Sequence, residues 1–233
     1  MSKPRYLYMD IDNNPLYEMP PQFIARSIYL ATYLRRKDGI LYKTKYKAMR
    51  AGHIGEVLGI CDTSAKTFLR ETKKYGVLVE TDAGYTMPYF THARNTEDNE
   101  RITINIANYR NLYKSTSLAD SQYIGSIIKL CRNLNLRTNM INTYPHSRGI
   151  KKPGFESTKE FFLAIGCTSK QGYVILDKIK NITFNCDGEQ QPFCVFRPGK
   201  RRRGLFVYVN PKIVYIFVYP KYVDKVGIFK YSD

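Results

Sequence analysis

Residues 58–80 read LGICDTSAKTFLRETKKYGVLVE, and the glycines at 59 and 76 constrain the chain more than any other feature. Upstream of Gly59, the apolar residues Ile54, Val57 and Leu58 fall at helical spacing. Downstream, Ala65, Phe68, Leu69, Thr72 and Tyr75 recur every three or four residues, while Ser64, Lys66, Thr67, Arg70, Lys73 and Lys74 fall on the other side. Glycine accepts the left-handed backbone that ends a helix sharply. A short helix must therefore turn within a few residues into a second, amphipathic one, with one face packed and the other basic. Asp62 or Thr63 is expected to cap the second helix, Gly76 to close it, and residues 77–80 to continue as a strand.

The charge says what such a basic face could meet. The 233 residues carry 37 Lys and Arg against 20 Asp and Glu, a net charge of +17. That excess favours polyanions, nucleic acid first. It is uneven: residues 1–116 hold 18 basic and 12 acidic side chains, residues 117–233 hold 19 and 8. The length suits one large or two small domains. Cys61, Cys131, Cys167, Cys186 and Cys194 form no CxxC pair and have no histidine at finger spacing. No zinc site is expected, and the thiols read as buried and inert. Their odd number and the lack of a signal peptide point to a reducing cytoplasm. No apolar run reaches the ~20 residues of a membrane span.

A charged helix is most often a solvated face. Here, however, a short helix, a glycine turn and small polar residues at the start of the next helix occur together, where a groove-reading helix needs short donors. The segment resembles the winged-helix DNA-binding domains of the MarR and RepL type. In those domains GIS-x-S-T-V-S-R-x-L is followed by a glycine and a β-hairpin. Gly59-Ile60-Cys61, Thr63-Ser64-Ala65-Lys66-Thr67 and Leu69 stand at the matching places, and the resemblance covers roughly residues 23–106. It implies a first helix from 21 to about 37, ended by Asp38-Gly39 and striped with Phe23, Ile24, Ile28, Tyr29 and Leu34. A short strand at 40–42 follows, and strands at 77–81 and 85–90 flank an Asp82-Ala83-Gly84 turn. A polar loop at 92–100 leads to an alternating strand at 101–106, and the wing tip could be either turn.

The same grammar returns in the second half. Ser157-Thr158-Lys159-Glu160 is a capping box that opens an apolar helix, and Gly166 turns the chain. Sliding by 107 positions sets Gly166 on Gly59, Gly172 on Ala65, Leu176 on Leu69 and Ile179 on Thr72 without a gap. Residues 123–134 read as the equivalent first helix and 140–144 as its short strand. Strands at 193–197 and 205–209 bracket PGKRRRG, whose four consecutive cations suit a phosphate or minor-groove probe. INIAN (104–108) and VYVNP (207–211) end the two copies alike. The second reading helix offers Lys170, Gln171, Tyr173, Val174 and Asp177, with fewer cations. The run IVYIFVY (213–219) is too apolar for water, so it packs on the core or on a partner.

The expectation is thus an α+β protein of two tandem winged helix-turn-helix domains, each with its own core. An N-terminal arm would span residues 1–20, the domains 21–114 and 117–219, and a tail 220–233. The partner is double-stranded DNA, with a homodimer through the apolar C-terminal segment. Contacts are expected from Thr63, Ser64, Lys66, Thr67, Arg70 and Lys73 in the first copy, and from Lys170, Gln171, Lys200, Arg201, Arg202 and Arg203 in the second. A transcription regulator of phage or plasmid origin is one role, and a replication initiator with paired winged helices is the other. Only His53, His92 and His146 are present, without an HxH pair, a phosphate loop or an HExxH helix, so no catalysis and no cofactor are expected.

Overall fold

Leu7 and Met9 alternate with Tyr6, Tyr8 and Asp10, a two-residue period that buries one side of an extended segment. In the computed structural model, which describes residues 5–93, 101–136, 138–143, 154–199, 204–216 and 229, this segment is strand β1 (Tyr6–Asp10). Leu7 and Met9 are fully buried. A 3-10 turn at Pro15–Glu18 leads to α1 (Pro21–Ala31), whose Phe23, Ile24, Ile28 and Tyr29 are buried as their spacing requires.

The expected helix to residue 37 stops at Ala31. Leu34 is needed for a bridge with Leu41, and residues 35–39 close a tight loop with Arg35 N donating to Ile40 O, an Arg35–Asp38 ion pair, and Gly39 at φ 68°. Arg110 donates to the Thr32 carbonyl at 2.8 Å, satisfying an acceptor that the helix end leaves open. Ile40 bridges to Thr86, and the short hairpin β2 (Tyr42–Thr44) and β3 (Lys47–Ala48) follows.

Next come α2 (Ala51–Leu58) and α3 (Asp62–Lys74), joined through Gly59 at φ 67°. The α3 cap position is Cys61 and carries no side-chain cap bond, so neither Asp62 nor Thr63 caps the helix; both already lie within its first turn. Strands β4 (Val79–Thr81) and β5 (Gly84–Thr86) form a hairpin shorter than expected. Val77 and Leu78 plug the core instead, and Phe90 belongs to β6 (Phe90–Thr91) in another sheet.

Strand β7 (Arg101–Asn105) runs directly into α4 (Ile106–Ser115), a helix not expected from the sequence. Asn105 caps it by accepting from Asn108 N, and Ile106, Tyr109, Leu112 and Tyr113 are its buried stripe. INIAN therefore starts a helix, whereas the matching VYVNP ends in a turn at Pro211.

Part of the element order of the first half recurs in the second. Helix α5 (Ser121–Leu130) and a 3-10 turn at Cys131–Asn133 lead to a Leu134–Ile141 bridge, one hundred positions after Leu34–Leu41. Asn139 at φ 53° takes the place of Gly39. Helices α6 (Thr158–Ala164) and α7 (Ser169–Lys180) flank Gly166 at φ 78°. Ser157 caps α6 by accepting from Glu160 N, while the Glu160 carboxylate accepts from Glu156 N at 2.6 Å. A second unexpected element follows, the hairpin of β8 (Thr183–Cys186) and β9 (Glu189–Pro192), turning at Asp187-Gly188. Then come the expected strands, β10 (Cys194–Pro198) and β11 (Leu205–Val209), and finally β12 (Val214–Ile216).

The repeat is imperfect in its sheet. In the first half the short strand joins the hairpin after α3, with Leu41 N donating to Tyr85 O. In the second, Met140 and Ile141 pair with β11.

The halves are interlocked. A four-stranded antiparallel sheet has the order β12-β7-β1-β6, so strands from near both ends of the chain flank the central β7. Asp10 stands opposite Arg101 and pairs with it at 2.6 Å. Helices α1 and α5 cross so closely that a Cβ on Gly125 would fall inside the Pro21 carbonyl group. From α4, Asn111 and Ser115 donate to the carbonyls of Asn185 and Thr183. In place of two separate cores, the buried residues of both halves form one cluster. Of the described part of the apolar C-terminal run, residues 213–216, Ile213, Val214 and Ile216 are spent on that core, which leaves those three no free dimer face; residues 217–219 lie outside the described residues.

Candidate nucleic-acid interface

The crossing of α2 and α3 is set by small residues. A Cβ on Gly55 would lie 3.0 Å from the Cβ of Ala65, so the two backbones approach with little between them. At the positions 107 residues on, Phe162 faces Gly172, and a Cβ there would fall inside the Phe162 ring. Each crossing thus has one residue that makes room for the other. With Ala65, Phe68 and Thr72 facing the core, α3 must direct the rest of its surface outward.

That outward surface holds the residues expected from the sequence. Thr63, Lys66, Arg70 and Lys73 are exposed, and Ser64 and Thr67 are half-buried between them. Thr63, Lys66, Thr67 and Arg70 share one helix face by their three- and four-residue spacing. Lys66 makes no ion pair among the described residues. Arg70 pairs with its neighbour Glu71 at 3.1 Å, an exposed interaction of little energetic weight.

Lys73 differs from the others. It pairs with Glu80 on β4, whose other oxygen accepts from Tyr85 Oη at 3.1 Å, and its ammonium lies 5.1 Å from the centre of the Tyr85 ring. The Glu80 partner raises the Lys73 pKa, and Lys73, followed by Tyr85, lowers that of Glu80. Lys73 therefore ties the end of α3 to the hairpin. The tip of that hairpin, Thr81-Asp82-Ala83-Gly84, carries an anion and no cation; of the alternative tip, the loop at 92–100, residues 94–100 lie outside the described residues.

Cys61 corrects the expectation of inert thiols. It is exposed at the α3 N-terminus, with Sγ 3.3 Å from Ser64 Oγ. Hydrogen bonding by the Ser64 side chain, then by backbone N–H groups, holds its pKa below the ordinary thiol value. Burial pushes Cys131, Cys167, Cys186 and Cys194 the other way.

The second helix pair presents different chemistry. Lys170 and Gln171 are exposed on the first turn of α7. Beyond them Tyr173, Val174 and Asp177 occupy the places of Lys66, Thr67 and Arg70. Lys200, Arg201, Arg202 and Arg203 lie outside the described residues; the hairpin that carries them is closed at its base by Gly199 N donating to Gly204 O at 3.1 Å.

Both described histidines have structural partners. His53 Nδ1 accepts from Arg50 N at 3.0 Å at the start of α2, and the ring nitrogens of His92 face the carbonyls of Tyr6 and Leu34 at 3.0 and 2.9 Å. Among the described residues no helix is long and apolar enough to cross a membrane.

The chain matches no family model, no curated protein and no solved structure.

Proposed function

We propose that the chain is a sequence-specific double-stranded DNA-binding protein, built from two winged-helix units, whose reading element is α3. One observation carries it: a tight glycine turn sets α3 against α2 so that Thr63, Ser64, Lys66, Thr67 and Arg70 form a short-donor and cationic face on solvent. Short side chains at the start of a helix let it approach base edges, and Lys or Arg further along reach guanine edges or phosphates. The pairing of Ile40 and Leu41 with the β4–β5 hairpin supports a winged unit around that helix.

Positioning and reading are divided. Lys73, held by Glu80, sets the hairpin against α3, while Lys200, Arg201, Arg202 and Arg203 supply sequence-independent phosphate or minor-groove contacts from the second unit. The α7 face, with Tyr173, Val174 and Asp177, has no base-reading role. Transcription regulation is the role proposed, with a replication initiator as the alternative. Footprinting of genomic fragments retained by the pure protein tests this. A discrete protected site supports sequence-specific binding, and an inverted repeat over a promoter supports regulation. Direct repeats in the manner of an origin would make the chain a replication initiator, and uniform retention of all fragments would contradict specific reading.

A further inference from the structure

Leu163, Tyr173 and Val174 are 75%, 63% and 61% exposed, an apolar cluster at the α6–α7 corner of the second unit. They stand where the first unit has Glu56, Lys66 and Thr67. In that unit Glu56 is held at 2.6 Å by Lys43, so the equivalent corner is polar throughout. Tyr173 is also fixed in place. Its ring stands edge-on to Phe162 with centroids 5.2 Å apart, and Gly172 leaves the space that lets Phe162 lie beneath the helix. Large apolar side chains held outward on a rigid helix mark an interaction surface, since water gains nothing by their exposure.

The charges flanking the cluster identify what covers it. Lys170, Tyr173, Val174 and Asp177 fall at i, i+3, i+4 and i+7, one stripe of α7, and all four are exposed. The stripe has a cation at its N-terminal end, an anion at its C-terminal end and two apolar residues between. Turned end for end about its own centre, it is its own complement: Lys170 meets Asp177, Asp177 meets Lys170, and Tyr173 meets Val174. A two-fold interface requires this property, because the same patch must serve both partners. Asp177 is free to make the contact. Its side chain is 73% exposed, and the ion pair it makes among the described residues, with Lys180 at 3.5 Å, is at the surface. DNA is a poor occupant for a stripe that presents an anion and two apolar side chains.

We infer that α7 packs antiparallel against α7 of a second copy of this chain, forming a two-fold dimer centred on Tyr173 and Val174. Lys170 then lies between chains rather than on DNA. A single helix pair is small beside the roughly 1,600 Å² of a stable complex, so the free dimer is weak. DNA that holds two chains side by side strengthens it by raising their effective concentration.

Sedimentation equilibrium of the full chain without DNA tests the dimer independently of any DNA-binding role. The wild type should self-associate across the micromolar range. Asp177→Lys sets cation against cation twice and should weaken the dimer by about tenfold or more, whereas Lys170→Asp combined with Asp177→Lys restores complementarity and should recover it. Both positions are exposed, so thermal melts should match the wild type and exclude misfolding. A chain that stays monomeric throughout, an Asp177→Lys variant that associates like the wild type, or a double exchange that fails to recover association overturns the inference.

Discussion

The carbonyl group of Pro21 occupies the space that a Cβ on residue 125 would need. This makes Gly125 the point at which the two halves are locked, because α1 and α5 cross there backbone against backbone. Gly125→Ala should destabilise the protein by about 3 kcal/mol or more, since the obstructing atoms are backbone and cannot rotate away. Gly52 lies on α2, where an added Cβ would have no neighbour within 4 Å, so Gly52→Ala should stabilise by about 0.5–1 kcal/mol through helix propensity alone. Urea denaturation of both variants checks the opposite signs.

The shared sheet makes a second prediction. Strand β7, from the middle of the chain, lies between β1 and β12, from near its two ends, and α4 donates hydrogen bonds to β8. Fragments 1–116 and 117–233 should each fail to melt cooperatively, while the full chain does so. Co-expression of the two should restore one transition. A cooperative melt from either fragment alone would show that its half holds a sufficient core by itself.

Much of this is legible in the sequence where structure is local. Gly59 and Gly166 announce both helix turns, and the 107-residue offset places α6 and α7 on α2 and α3 because helical spacing is set within a few residues. The segment 193–209 also forms strands close to their expected bounds. Pairings between distant residues are not legible. Tyr6–Asp10 shows its two-residue alternation, but nothing nearby says that its partners lie at Arg101–Asn105. Asp187-Gly188 is a readable hairpin signal, overshadowed by the cationic tip that follows it. The Ile106, Tyr109, Leu112, Tyr113 stripe of α4 is likewise present, but the alternation of the strand before it masks where the helix begins. Of the site, spacing puts the α3 residues on one face. The engagement of Lys73 by Glu80 and the exposure of Cys61 depend on packing that spacing does not encode.

Cys61 supplies a chemical probe of the interface. The thiolate is the reactive form, so its alkylation rate by iodoacetamide should rise with pH through a midpoint below that of an ordinary thiol, because the hydrogen bonds at the α3 N-terminus favour the deprotonated form. Mass spectrometry should find Cys61 modified before Cys131, Cys186 and Cys194, which are buried. Cognate DNA should slow the reaction at Cys61 more than random DNA of equal length. Equal rates with and without cognate DNA would place the α3 N-terminus away from the duplex.

DNA binding of the kind proposed involves no catalytic step. Supercoiled plasmid incubated with the chain and Mg²⁺ or Mn²⁺ should stay supercoiled, and ATP should not be hydrolysed. A site-specific nick abolished by one tyrosine substitution would instead assign the chain an initiator's cleavage chemistry.

The most direct test of the central claim is titration of two variants against cognate and random DNA at several salt concentrations. Lys66→Ala with Arg70→Ala removes side chains from the α3 face, at about 1–3 kcal/mol for each base they no longer reach, and should flatten the difference between the two DNAs. Replacing Lys200, Arg201, Arg202 and Arg203 with Ala should weaken both DNAs alike, with the salt slope shallower by about 0.9 for each phosphate no longer neutralised. Full discrimination retained by the Lys66 and Arg70 variant would contradict the assignment of α3 as the reading helix.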